Sequence, residues 1–202
     1  MVEIKKITVK KTGFWKTWRD VMFHPTKFYE QLPKKNSYRE PSIFFIKAQA
    51  LTVLIFYILF GISLAVALNS QESELAVLIG GFAGIGFLIG LIIMFPLILL
   101  LGWGFLFVCA GLVHLFVRLF GGKQGYKETF TVIAYSVAPS IFSFIQYVNF
   151  PAAIYSLIIE IIGIHKRQKL SLGISIAAVL IPFLRLLIPV FIAAAYFAKI
   201  LV

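Results

Sequence analysis

Apolar and polar positions along the chain fall into long blocks, with none of the short alternation a β-strand would give. Residues 43–68, "IFFIKAQALTVLIFYILFGISLAVAL", form the first block. A polar "NSQESE" follows, carrying Glu72 and Glu74 and no basic residue. From Leu75 to Phe120 the chain is apolar again, interrupted only by glycines, Pro96, His114 and Arg118. Further blocks run over 129–148, 151–164 and 171–198. A helix needs about 20 mostly apolar residues to cross hydrocarbon. The pattern therefore predicts spans at 43–68, 75–101, 129–148, 151–164 and 171–198. The surplus of the second block, 103–119, is expected to form a tilted or interfacial helix, because Trp103, His114 and Arg118 suit a membrane interface. The fold class read from this pattern is an all-α, polytopic membrane helical bundle with five transmembrane helices, occupying 43–202 behind an amino-terminal arm, 1–42.

The arm carries a different pattern. Phe14, Trp15, Trp18, Val21 and Met22 recur at helical spacing, while Lys16, Arg19 and Asp20 point elsewhere. This predicts an amphipathic helix that stops before Pro25, since a residue preceding proline avoids the helical region. Phe28, Tyr29 and Leu32 would continue its apolar face. Such a segment is expected on the cytoplasmic leaflet, with Trp15, Trp18, Arg19 and Met22 as the surface anchor and anionic lipid headgroups as partners. A docking surface for a soluble protein uses the same kind of stripe.

Composition removes the competing classes. The chain is 60% hydrophobic and 13% charged, roughly half the charged share of soluble domains. The net charge of +11 does not make a nucleic-acid footprint, because most Lys and Arg precede residue 48 or flank apolar blocks. They mark the cytoplasmic side instead. With the basic arm inside and the acidic 69–74 loop outside, Arg118, Lys123 and Lys127 require an odd number of crossings between 74 and 118. Lys166, Arg167 and Lys169 also belong inside. The expected topology has the amino terminus cytoplasmic and the carboxyl terminus outside. Cys109 is the single cysteine, so an internal disulfide and a cysteine metal cluster are excluded. No cleavable signal is visible in the charged first 40 residues.

Ionisable residues inside apolar blocks are the candidate chemistry. Lys47 lies about one turn into the first span, and Glu160 about one turn before the end of the fourth. They are expected to be neighbours or to share a polar pocket with Gln49, as a structural pair or as a relay. Arg185 falls near the middle of the fifth span between Pro182 and Pro189, whose missing N–H groups free carbonyls for it. A wet cavity and a lipid phosphate are its other possible partners. Gly80, Gly81, Gly84, Gly86 and Gly90 make a small-residue stripe that permits helix packing and self-association into a homo-oligomer. No Ser/His pair, His-x-x-x-His or paired carboxylates at catalytic spacing occur, and Glu160 and His165 fall on different helix faces. Neither an enzyme nor a bound cofactor or metal is expected.

The loop "FGGKQGYKETFTVIAYSVAP", 120–139, lacks the Gly-x-x-x-x-Gly-Lys-Ser/Thr spacing of a phosphate loop. It reads as a cytoplasmic turn. Gly121 and Gly122 end one helix and permit positive φ, Lys123 and Lys127 hold the inner side, and Thr129 helps to start the next helix. "RLFGGKQGYKETFTVIAYSVAPSIF" as a whole resembles the Yip-domain family of five-span membrane proteins, prokaryotic type. Gly121 and Gly122 match its glycine-rich loop, and Tyr135 and Pro139 its Tyr…Pro span. "DVMFHPTKFYEQL" is similar to the family's amino-terminal motif, and "IYSLIIEIIGIHKRQKLSLGISIAAVLIP" to its fourth span, basic loop and fifth span. The resemblance implies five helices and a cytoplasmic amino terminus. Eukaryotic members bind Ypt/Rab GTPases or shape vesicle membranes, but the acidic soluble region that precedes their spans has no counterpart here. The expected function is a non-catalytic scaffold or adaptor in a prokaryotic cell membrane, organising lipids or partner proteins at its cytoplasmic face. A small transporter or channel with a polar path near Lys47, Glu160 and Arg185 is the alternative.

Overall fold

In a computed structural model the chain is described over residues 13–33, 37–69 and 74–182, with side chains over 13–33, 37–66 and 84–182. The expectations for Arg185 and Pro189 lie outside the described residues. Every described element is helical: α1 Phe14–Phe23, α2 Pro25–Gln31, α3 Arg39–Asn69, α4 Glu74–Leu119, α5 Tyr126–Ser136, a 3-10 turn at Ala138–Phe142, α6 Gln146–Gln168 and α7 Leu172–Pro182. Three of them, α3, α4 and α6, contain stretches long and apolar enough to cross a membrane.

α5 is the central helix. Thr129 to Ser136 are all buried, and α3, α4 and α6 surround them. A helix apolar on every side belongs in a core, and here two of its three buried polar side chains, Thr131 and Ser136, bond locally. The Thr131 hydroxyl donates to the Lys127 carbonyl at 2.7 Å and the Ser136 hydroxyl to the Ile133 carbonyl at 2.9 Å. α5 does not form the continuous 129–148 span expected from the pattern. It stops at Ser136, passes through the 3-10 turn and resumes as α6 at Gln146. Pro139 is the cause, since it has no N–H to offer the Tyr135 carbonyl. The 11 residues of α5 reach only about 16 Å, half a hydrocarbon core.

α4 departs from the pattern in the opposite sense. Its 46 residues form one helix through Pro96, with no division into 75–101 and 103–119. It is about 69 Å long, twice the hydrocarbon thickness. Leu106, Ala110, Val113 and Val117 make a buried stripe at spacings of four, three and four, directed into the bundle. Among the described residues, the 84–101 half packs on the distal half of α3. There the Tyr57 hydroxyl donates to the Gly90 carbonyl at 3.1 Å, and Phe87 meets the rings of Tyr57 and Phe60. Of the glycine stripe, Gly80 and Gly81 lie outside the residues whose side-chain surroundings are described, and a Cβ at Gly84, Gly86 or Gly90 would meet nothing within 4 Å. The distal hairpin thus presents bare aliphatic surface, with Ile92 and Leu101 mostly exposed.

α4 ends as the glycines predict. Gly121 has φ +90°, its N–H reaches the Arg118 carbonyl, and the Gly122 N–H reaches the Val117 carbonyl at 2.8 Å. This double bond pattern closes a helix end around one left-handed residue. Gly122 is required for space, since a Cβ there would lie 2.4 Å from Val117 Cγ1. Thr129 does not start the next helix. Gly125 precedes α5, and Thr129 is buried in its second turn.

Candidate functional site

α1 and α2 dock onto the bundle. Pro25, whose missing N–H is harmless at a helix start, opens α2 directly after His24. The Trp18 indole donates to the Ala138 carbonyl at 2.9 Å and its ring packs on Phe142. The Tyr155 hydroxyl donates to the Met22 carbonyl. Trp18 and Met22 therefore face the protein, while Trp15 and Arg19 remain exposed. The stripe read as a single lipid anchor is divided between two surroundings, because the indole N–H and the apolar rings find partners on the 3-10 turn.

Tyr29 is fully buried, and its hydroxyl donates to the Val132 carbonyl at 3.2 Å. Burial pushes its phenol well above the usual range, and the negative charge of Glu160 and then of Tyr135 adds to the effect. Gly163 makes room for it: a Cβ there would lie 2.5 Å from Val132 Cγ1 and 2.8 Å from Tyr29 Cζ. Next to α2, Arg167 joins three elements. Its Nε donates to Glu128 at 2.6 Å, and its remaining nitrogens donate to the carbonyls of Tyr29, Leu32 and Pro33 at 3.3, 2.9 and 3.0 Å. A guanidinium fork suits this task, binding a carboxylate and a helix carboxyl end together. Lys166 pairs with Glu30 at 2.7 Å alongside. Behind them, Gln168 Nε2 donates to Thr129 Oγ1 at 2.9 Å, which lies 2.9 Å from His114 Nδ1.

On the other side of α6 lies a partly open cavity of about 410 Å³, lined by α3, α4, α5, the 3-10 turn, α6 and α7. Gln49, Ser136, Ser140, Asn149, Ser156 and Glu160 supply polar groups to its wall. Asn149, Ser156 and Glu160 are seven and four residues apart, so one face of α6 carries a polar ladder. The structure thus brings Gln49 and Glu160 together. Lys47 is exposed and does not line the cavity. Two residues before Gln49 on a helix, it points to another face.

The remaining motif residues are structural in placement. Tyr135 is buried between the rings of Phe28 and Phe44, each 4.9 Å away. Pro139 is buried at the 3-10 turn. Sequence reasoning missed Tyr29, Glu128, Thr129, Arg167 and Gln168 as a set. Arg167 stood among Lys166 and Lys169 as one more loop charge. The available signal was Glu128, a lone acid in an otherwise basic loop, which calls for a specific cation.

Comparison with known proteins accords with this architecture. No curated protein and no solved structure matches the chain. The family model described as "Yip1 domain" matches residues 19–194, from the middle of α1 to beyond α7. That match covers most of the 202 residues, and with the all-helical apolar architecture it makes the chain an integral membrane protein belonging to the Yip1 domain family.

Proposed function

We propose that this protein is a non-catalytic membrane scaffold, seated in a prokaryotic cell membrane with its amino terminus cytoplasmic and its carboxyl terminus outside. The observation that carries this reading is the docking of α1 and α2. Arg167 uses its donors on Glu128 and three backbone carbonyls, Trp18 bonds Ala138, and Tyr29 bonds Val132. Polar groups at this end are spent on making a rigid ledge. What the ledge leaves outward is apolar and cationic: Trp15 and Phe23 at 61% and 65% exposure, with Arg19 beside them. That chemistry suits anionic headgroups or an acidic protein surface.

The test is reconstitution of the full chain in sealed proteoliposomes. Ion and dye flux is expected to equal that of empty vesicles. A photoreactive residue at position 15 is expected to form discrete lipid or protein adducts in cells, which Arg19→Glu weakens. Solute flux above the empty-vesicle rate that Glu160→Gln abolishes would overturn the scaffold reading in favour of a transporter using the cavity.

A further inference from the structure

The cavity beside α6 has an electrostatic property that a scaffold role does not use. Among the described residues, Glu160 is the one acid in its wall, and no Lys, Arg or His lines it. Among the described residues, no hydrogen bond or ion pair reaches the Glu160 carboxyl. The Ser140 hydroxyl in the same wall is buried with no hydrogen-bond partner, although the Ser140 carbonyl accepts from Thr52 at 3.3 Å. Among the described residues neither the Glu160 carboxyl nor the Ser140 hydroxyl has a hydrogen-bond partner, although the amides and hydroxyls of Gln49, Asn149, Ser136 and Ser156 share the wall. Much of the remaining wall is aliphatic, from Leu112, Val113, Ile133 and Val179. A volume of about 410 Å³ lies within the range of small-molecule sites, whose walls are mostly apolar with a few placed polar groups.

Charge and shape narrow the ligand. A carboxylate or phosphate would sit beside Glu160 with no cation among the described wall residues to offset the repulsion. That argues against fatty acids and against phospholipid headgroups. A hard metal ion needs several oxygen ligands, and among the described residues no group of three metal-binding side chains occurs. An organic cation with an apolar body satisfies both parts of the wall. We propose that this cavity binds an amphiphilic primary amine, its ammonium on the Glu160 carboxylate and the Ser140 hydroxyl and its hydrocarbon against Leu112, Val113, Ile133 and Val179. This goes beyond the scaffold reading and does not depend on it.

The experiment places the full chain in phosphatidylcholine nanodiscs and labels it with a diazirine-bearing dodecylamine, adducts being mapped by mass spectrometry. Adducts are expected on cavity peptides of α4 and α6, competed by unlabelled dodecylamine and not by dodecanol or dodecanoate. Glu160→Gln should lower that labelling roughly tenfold to a hundredfold, the worth of a charged hydrogen bond, and Ser140→Ala roughly two- to tenfold. Leu112→Trp, which fills the space without touching the acid, should abolish it and guards against misfolding of Glu160→Gln. Equal competition by dodecanol, adducts confined to the 84–101 hairpin surface, or undiminished labelling in Glu160→Gln and Leu112→Trp would each overturn the proposal. Any of those failures leaves the flux and crosslinking results at the amino-terminal ledge unaffected.

Discussion

Arg167 and Tyr29 are two of the side chains that hold the amino-terminal ledge on the bundle. The Arg167 and Glu128 side chains are only 8% and 12% exposed, so breaking their pair is costly where a surface pair would be nearly neutral. Arg167→Met is expected to lose about 3–5 kcal/mol, read as a lower chemical-unfolding midpoint in detergent and faster tryptic cleavage at Lys27. Arg167→Lys should recover only part of the loss, because an ammonium cannot serve the carboxylate and the carbonyls in one plane. Tyr29→Phe removes one hydrogen bond, a cost of about 1 kcal/mol, or about 2–4 °C for a chain of this size. It also changes the pH response. The Tyr29 phenol is raised in the fold above its unfolded value near 10. The folded state thus favours its neutral form, and that contribution is complete below about pH 10 and lost as pH rises toward the folded value. Between pH 9 and 11 the wild-type melting temperature should fall further than that of Tyr29→Phe; equal falls would show that Tyr29 carries none of the alkaline sensitivity.

Among elements, α2, α5 and α6 approach one another closely at Gly163. Gly163→Ala drives a methyl group against Val132 and Tyr29, and overpacking of this kind costs about 1–3 kcal/mol. Val132→Ala removes the nearer obstacle. The double substitution is therefore expected to lose less stability than the two single losses added together, a coupling that contacting residues show and distant ones do not. Additive losses would mean that the helices separate freely at this point. α5 illustrates how an element's character comes from its neighbours. Its residues suggested a span, yet Pro139 cuts it short and the surrounding helices bury it on every side.

For the molecule as a whole, bundle and hairpin divide the work. The bundle collects most of the aromatic and hydrogen-bonded contacts, while the distal halves of α3 and α4 keep Ile58, Ile62, Ile92 and Leu101 exposed. Such surface is stable only against lipid or another apolar surface. In a Cys109→Ala background, a cysteine at Ile58 or Ile92 is expected to resist a membrane-impermeant maleimide, whereas one at Lys47 should react. The proposed topology adds that cysteines near the two termini label from opposite sides of a sealed vesicle. Labelling of both from one side would remove the odd number of crossings on which that topology rests.

Much of this was legible in the amino-acid order, and the reason is physical. The cost of placing charge in hydrocarbon and the length of a membrane-crossing helix act locally, so block lengths and basic loops alone determined membrane residence and the all-α class, while the glycine-rich loop and the Tyr135 and Pro139 motif carried the family resemblance. The Gly121–Gly122 helix end was equally readable, since positive φ is a property of a residue and its neighbours. What only the tertiary structure decided involves partners distant in the chain: Trp18 with Ala138, Tyr29 with Val132, Arg167 with Glu128 and α2, and Gln49 with Glu160 around one cavity. Arg167 could not be told from Lys166 by type or position in a basic run. Only the arrival of the α2 carboxyl end at its guanidinium separates a buried organiser from a loop charge.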